Sequence, residues 1–180
     1  MDEQNASVLE ANMLAYISKT VSHIGERAFC WDVINEAISD DPNQETKPSP
    51  WDKIDDYIYK AFVAAHEANP KAVLFYNDYN AESAAGWSKT KSDKVYNLVK
   101  GLLDRGCPVH GVGLQAHIEV SYSDEMLKGI RENIQRLHDL GLVVHITELD
   151  IKCNSQRKCT DSDWTEQLLE QQADLYAKLL

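Results

Sequence analysis

Four short runs of the chain are apolar at nearly every position: residues 28–34, 72–76, 109–114 and 142–146. They are rich in Val, Ile, Leu and Phe and show no polar alternation. That pattern predicts strands apolar on both faces, as in a parallel sheet covered by helices. Between them, apolar residues recur every three or four positions, the spacing of a helix face. Leu9, Met13, Ile17, Val21 and Ile24 share one stripe, and Ile54, Ile58, Ala61, Phe62 and Ala65 a second. Val95, Leu98, Val99 and Leu102 form a third, and Met126, Ile130, Ile134 and Leu137 a fourth. Trp164, Leu168, Leu175 and Leu179 form a fifth.

The punctuation agrees. Ser49-Pro50-Trp51-Asp52 predicts a capped helix start with proline in the first turn. Asn69-Pro70 predicts a helix end, as do Gly106 and Gly141. The order is therefore a helix, then strand and helix four times over. Such alternation predicts an α/β fold with a parallel sheet, doubly wound or closed into a barrel. No glycine-rich phosphate loop follows any strand, which weakens a nucleotide-binding reading. A (β/α)8 barrel takes roughly 250 residues. With four predicted strands in 180 residues, the expectation is one partial domain over 1–180, cut at both ends.

Composition narrows the function. A formal charge of −11 argues against nucleic acid or an anionic membrane as partner. No stretch has the ~20 apolar residues of a membrane span, and the acidic start, Met1-Asp2-Glu3, does not read as a signal peptide. No spacing resembles a zinc site, and no cofactor is expected. Cys153 and Cys159 flank a polar loop. They can close a small disulfide in an extracellular protein or stay free thiols. Cys30 and Cys107, beside apolar strands, read as small buried residues.

The chemistry gathers just after each apolar run: Asn35-Glu36, Asn77-Asp78-Tyr79-Asn80, Gln115-Ala116-His117 and Thr147-Glu148-Leu149-Asp150. In a parallel βα barrel the carboxyl ends of the strands form the active face. Four polar clusters at four such ends would meet in one cleft. Two of them carry a glutamate, and glycoside hydrolysis needs two carboxyl groups flanking the bond. Environment must also separate their proton affinities, keeping the acid protonated and the nucleophile ionised. On composition alone, Asp78 and Asp150 compete for these roles.

Here the residues carry a resemblance. Trp31-Asp32-Val33-Ile34-Asn35-Glu36-Ala37 resembles the acid/base motif of family 10 glycoside hydrolases. Ile146-Thr147-Glu148-Leu149-Asp150-Ile151 resembles the nucleophile motif of that family. Phe75-Tyr76-Asn77-Asp78-Tyr79-Asn80 and Gly111-Val112-Gly113-Leu114-Gln115-Ala116-His117 resemble the motifs of its fifth and sixth strands. The resemblance implies strands four to seven of a TIM barrel and a secreted, retaining endo-1,4-β-xylanase acting on xylan or xylo-oligosaccharides. It implies Glu36 as acid/base and Glu148 as nucleophile. His117 and Asp150 would orient Glu148. Asn35 would bind the 2-hydroxyl of the reacting sugar, and Gln115 would tune Glu36. Asn77, Tyr79 and Asn80 would contact sugar on the leaving-group side or serve as a structural turn. Trp87 reads as packing or as a sugar platform, and His145 as a core histidine. Two other readings stand beside this one. A related cellulase or mannanase is disfavoured by Ala37, where many of those carry proline. An inactive sugar-binding fragment is motivated by the missing strands, whose open edges would favour self-association.

Overall fold

The computed structural model describes residues 3–154 and 160–179. Helix α1 (Glu3–Ile24) leads into strand β1 (Cys30–Asn35). Then follow α2 (Tyr57–Ala68), β2 (Val73–Asp78), α3 (Lys89–Asp104) and β3 (Gly111–Leu114). A short strand, β4 (His117–Glu119), precedes α4 (Asp124–Asp139) and β5 (Val143–Ile146). The chain closes on β6 (Asp150–Lys152) and α5 (Glu166–Leu179). Strands β1, β2, β3 and β5 pair in that order, all parallel. The predicted four-strand parallel sheet is therefore present, as part of a βα barrel. Strands β4 and β6, not foreseen from the sequence, form a second parallel pair beyond the ends of β3 and β5.

The helix stops fall where glycine was expected. Gly106 and Gly141 have φ of 72° and 85°, the left-handed region open to glycine without a Cβ penalty. One start was misplaced. Ser49 and Asp52 do form a capping box, but on a short 3-10 turn, Pro50–Lys53. Ile54 then turns extended, and α2 begins only at Tyr57, after Asp56 at φ 55°. Trp164 likewise lies before α5, at the end of another 3-10 turn.

The core lies between the sheet and its helices. Leu74, Tyr76, Val112 and Leu114 are fully buried there, packed with Phe62, Val95 and Val99. Each such side chain contributes about 1.5–3 kcal/mol by leaving water. A smaller cluster joins Ile118, Ile151, Met126, Ile130 and Leu175. The other face of the sheet would be the barrel interior. A Cβ on Gly111 would stand 2.2 Å from the Phe75 ring, and one on Gly113 2.3 Å from Asn77 Oδ1. Both glycines are there because side chains of β2 occupy the space.

Only the central strands are covered on both faces. The edges β1 and β5 are open: Phe29 is 76% exposed, Val143 47% and Ile146 45%. Cys30 is correspondingly exposed rather than buried, whereas Cys107 is buried. His145 is not a core residue either. It lies exposed on the open face, stacked on Phe75 with ring centroids 4.5 Å apart. No helix among the described residues is long and apolar enough to cross a membrane.

Candidate active site

Every strand end is tied to its neighbour by the backbone. The N–H of Glu36 donates to Asn77 O at 2.9 Å, that of Gln115 to Asp78 O at 2.9 Å, and that of Glu148 to Gln115 O at 3.1 Å. The four polar clusters therefore converge. Glu36, Tyr79, Gln115, His117 and Glu148 line one cleft of about 350 Å³. Three positions of these clusters are held in left-handed backbone, Glu36 at φ 57°, Asn80 at φ 55° and Ala116 at φ 61°. Such geometry costs on the order of 1–3 kcal/mol and persists only where its surroundings over-determine it.

A β-bulge aims the first cluster. Asp32 pairs with Phe75 and Asn35 with Asn77, yet Ile34 pairs with Tyr76. Val33 is the extra residue. Strict alternation would put Asp32 and Asn35, three positions apart, on opposite faces. The bulge returns both to the inner face. Asn77 Nδ2 then reaches Asn35 Oδ1 at 3.0 Å.

Asn77 is the hub beneath Glu148. Its Nδ2 also donates to Glu148 Oε1 at 3.3 Å, and its Oδ1 accepts from Thr147 Oγ1 at 2.9 Å. It is 2% exposed, so its amide is spent on protein groups rather than on the open cleft. The other Glu148 oxygen meets His117 Nε2 at 3.2 Å, and His117 Nδ1 meets Asp150 Oδ1 at 3.0 Å. Lys152 approaches the same Asp150 oxygen at 3.6 Å. His117 is thus clamped between two carboxylates, which fixes its plane and the rotamer of Glu148.

Glu36 faces donors on both oxygens: Gln115 Nε2 at 3.0 Å and Lys47 Nζ at 3.3 Å. The Gln115 hydrogen bond is the main cause that holds the Glu36 carboxyl below its ordinary range; burial opposes it and Lys47 reinforces it. A carboxyl kept protonated, as expected for the acid, is therefore not what these residues alone produce. Two neutral or cationic donors on a partly exposed glutamate favour the charged form. Asp32, below, is shifted the other way, raised by burial and by the charge of Glu148.

Tyr79 and Asn80 are anchored from a loop that sequence reasoning passed over. Asp40 accepts from Tyr79 Oη at 2.6 Å and from Asn80 Nδ2 at 3.3 Å. Buried Lys91 bridges Asp40 at 3.1 Å and Asp78 at 2.9 Å. Asp78 is fully buried and also accepts from Tyr76 Oη. It therefore serves as a structural counter-ion, not as a rival to either glutamate. Burial and the Asp40 hydrogen bond push the Tyr79 hydroxyl up to about 12. Glu82, 1% exposed, accepts the N–H of Ala116 at 3.0 Å and so supports the strained turn between Gln115 and His117. Lys47, Asp40, Lys91 and Glu82 lie outside the strand-end motifs; their only sequence signal is a charge in an apolar or loop context. Cys153 is disulfide-bonded, while Cys159 lies outside the described residues. Trp87 is 55% exposed, its ring edge-on to Tyr122 at 6.1 Å.

A parallel βα sheet with paired glutamates at its carboxyl end is the architecture of part of a (β/α)8 barrel. The chain belongs to glycosyl hydrolase family 10, whose model matches residues 1–180. It is 42% identical over 177 residues to an endo-1,4-β-xylanase of Geobacillus stearothermophilus, covering 96% of this chain and 51% of that protein. Xylanase 10B of Thermotoga maritima superposes with a TM-score of 0.83 at 36% identity, over 97% of this chain and 50% of that one. Xylanase 10B of Thermotoga petrophila, solved in complex with xylobiose, matches with a TM-score of 0.78 at 36% identity, over 92% of this chain and 47% of that one. The chain thus spans about half the length of these relatives.

Proposed function

We propose that this chain carries the catalytic centre of a retaining endo-1,4-β-xylanase. The convergence of Glu36 and Glu148 on one cleft, each held by its own donors, is the observation that carries the reading. The xylanase names of its relatives and the xylobiose complex of one of them support xylan as the substrate class. In the first step Glu148 attacks the anomeric carbon while Glu36 gives its proton to the departing glycosidic oxygen. In the second, Glu36 takes a proton from water as the water oxygen displaces Glu148. His117 and Asp150 hold Glu148 for attack. Asn35 Oδ1 accepts from Asn77, and its side-chain NH2 is suited to donate to the 2-hydroxyl of the reacting sugar. Tyr79 lines the cleft wall, its ring carrying the Lys91 ammonium at 3.6 Å and that of Lys47 at 4.4 Å from the centroid.

The test is release of reducing ends from xylan by the 180-residue chain, beside Glu36→Gln and Glu148→Gln. Loss of a general acid costs roughly 10²–10⁴-fold. Wild-type rates in either variant would end the assignment. Faster hydrolysis of carboxymethyl cellulose than of xylan would favour a cellulase, against which Ala37 already speaks.

The open sheet edges at β1 and β5 favour a second reading, binding of xylo-oligosaccharide without turnover. Calorimetric binding with no release of reducing ends would establish it. The exposed apolar edges at β1 and β5 support self-association; a compact monomer by light scattering would count against it. The bonded Cys153 supports an oxidising, extracellular location, checked by thiol titration without reductant.

A further inference from the structure

The loop after Glu36 folds back on itself. Lys47 N–H donates to Ala37 O at 2.8 Å, Ser39 N–H donates to Glu45 O at 3.0 Å, and Ile38 bridges Thr46 in antiparallel fashion. This hairpin returns a lysine, eleven residues on, to the glutamate it left. The Lys47 ammonium sits 3.3 Å from Glu36 Oε2 and 4.4 Å from the centroid of the Tyr79 ring. It therefore lies between an anionic and an aromatic partner at once, and the same ring also carries the Lys91 ammonium at 3.6 Å from its centroid. Both Lys47 and Glu36 are about one-third exposed, 32% and 37% by side chain. A pair so exposed adds little to stability, so its use lies elsewhere.

We propose that Lys47 is a positioning residue for Glu36, a counter-ion that engages the carboxylate and retires over Tyr79 when the carboxyl carries its proton. The proposal rests on Glu36 being the acid/base. Lysine has three donors and no acceptor, so a proton on Oε2 leaves it nothing to bond. Gln115, on Oε1, can answer a protonated carboxyl by presenting its amide oxygen instead. Lys47 has only withdrawal, and the Tyr79 ring lies within reach. In double displacement Glu36 is consecutively acid, carboxylate and acid again. As the glycosidic C–O bond breaks, the proton leaves Glu36 for the departing oxygen and Lys47 stabilises the new carboxylate. When water then bonds to the anomeric carbon and frees Glu148, its proton returns to Glu36 and Lys47 swings away. The other groups facing Glu36 are Gln115 after β3, His117 in β4, Glu148 after β5 and Tyr79 after β2, with Lys91 of α3 at longer range. Among them, Lys47 is the cation in direct contact with the carboxylate.

The experiment is a carbon-13 NMR titration of the Glu36 carboxyl, assigned with Glu36→Gln, in wild type, Lys47→Met and Lys47→Arg. The midpoint should rise in Lys47→Met and stay with wild type in Lys47→Arg, with melting temperatures unchanged. The alkaline limb of kcat/KM on an aryl xylobioside should move upward in Lys47→Met alone. An unmoved midpoint in folded Lys47→Met would overturn the proposal. So would a Lys47→Arg midpoint displaced as far as that of Lys47→Met. The titration needs no substrate. A chain that leaves xylan intact, yet shows the Lys47→Met rise, would refute the proposed activity while sustaining the counter-ion role.

Discussion

Replacing Gly113 by alanine tests the tight packing behind Glu148. The added methyl would stand 2.3 Å from Asn77 Oδ1 and 2.9 Å from Thr147 Cγ2. Neither neighbour is the loose end of a flexible chain. Asn77 is buried and bonded to Asn35, Glu148 and Thr147, so relief must move its amide. Overpacking of this kind costs about 1–3 kcal/mol, and losing one buried hydrogen bond adds about 1 kcal/mol. The sum is roughly 2–4 kcal/mol. At about 2–4 °C per kcal/mol for a chain of this size, the melting temperature should fall by roughly 5–15 °C. The rate should fall further than stability alone explains, because Glu148 leans on the displaced amide. A misplacement of about 1 Å costs on the order of 10²-fold. Calorimetric melting and hydrolysis of an aryl xylobioside, measured on the same preparations, read the two effects. Adding Asn77→Ala removes the obstacle, so the double variant should be less damaged than the two single effects summed. A Gly113→Ala protein with wild-type melting and rate would refute the packing argument.

Three further outcomes follow from buried charge and from the clamp on Glu148. Lys91→Met strips the cation from between Asp40 and the fully buried Asp78, and should cost about 3–5 kcal/mol in denaturant unfolding. Asp78→Asn in the same chain should recover part of that loss. Burial raises the Glu82 carboxyl above its ordinary range, so the folded state holds that proton more tightly than the unfolded chain. The stability this contributes is full below the unfolded value and is lost as pH rises through the folded one. Melting temperatures of Glu82→Gln relative to wild type should therefore shift in favour of the variant from pH 4 upward; a constant gap would contradict the burial argument. His117→Ala frees one oxygen of Glu148 from its clamp and should lower kcat on an aryl xylobioside more than it lowers melting temperature.

The periodicity of apolar residues, by itself, determined four parallel strands, their helices and the ends at which polar residues collect. Those are local facts: a strand or helix face is written into residues a few positions apart. Glu36, Gln115, His117, Glu148 and Asp150 were legible for the same reason, each lying within a few residues of a readable strand end. Asn35 needed more. Its turn to the inner face depends on the bulge at Val33, and the period-two rule puts it on the other side. Helix α2 began late because the cap at Ser49 closed a 3-10 turn first. The edges, too, were misjudged, since burial of an apolar strand is a property of its neighbours; Cys30 and His145 are exposed because β1 and β5 have one neighbour each in the sheet. The charge network was beyond sequence altogether. Lys47 meets Glu36, Lys91 joins Asp40 to Asp78, and Glu82 holds Ala116 only once separate loops are laid together. Coulomb and hydrogen-bond energies depend on distance in space. Which charges stand beside the two glutamates was therefore decided by the tertiary structure alone.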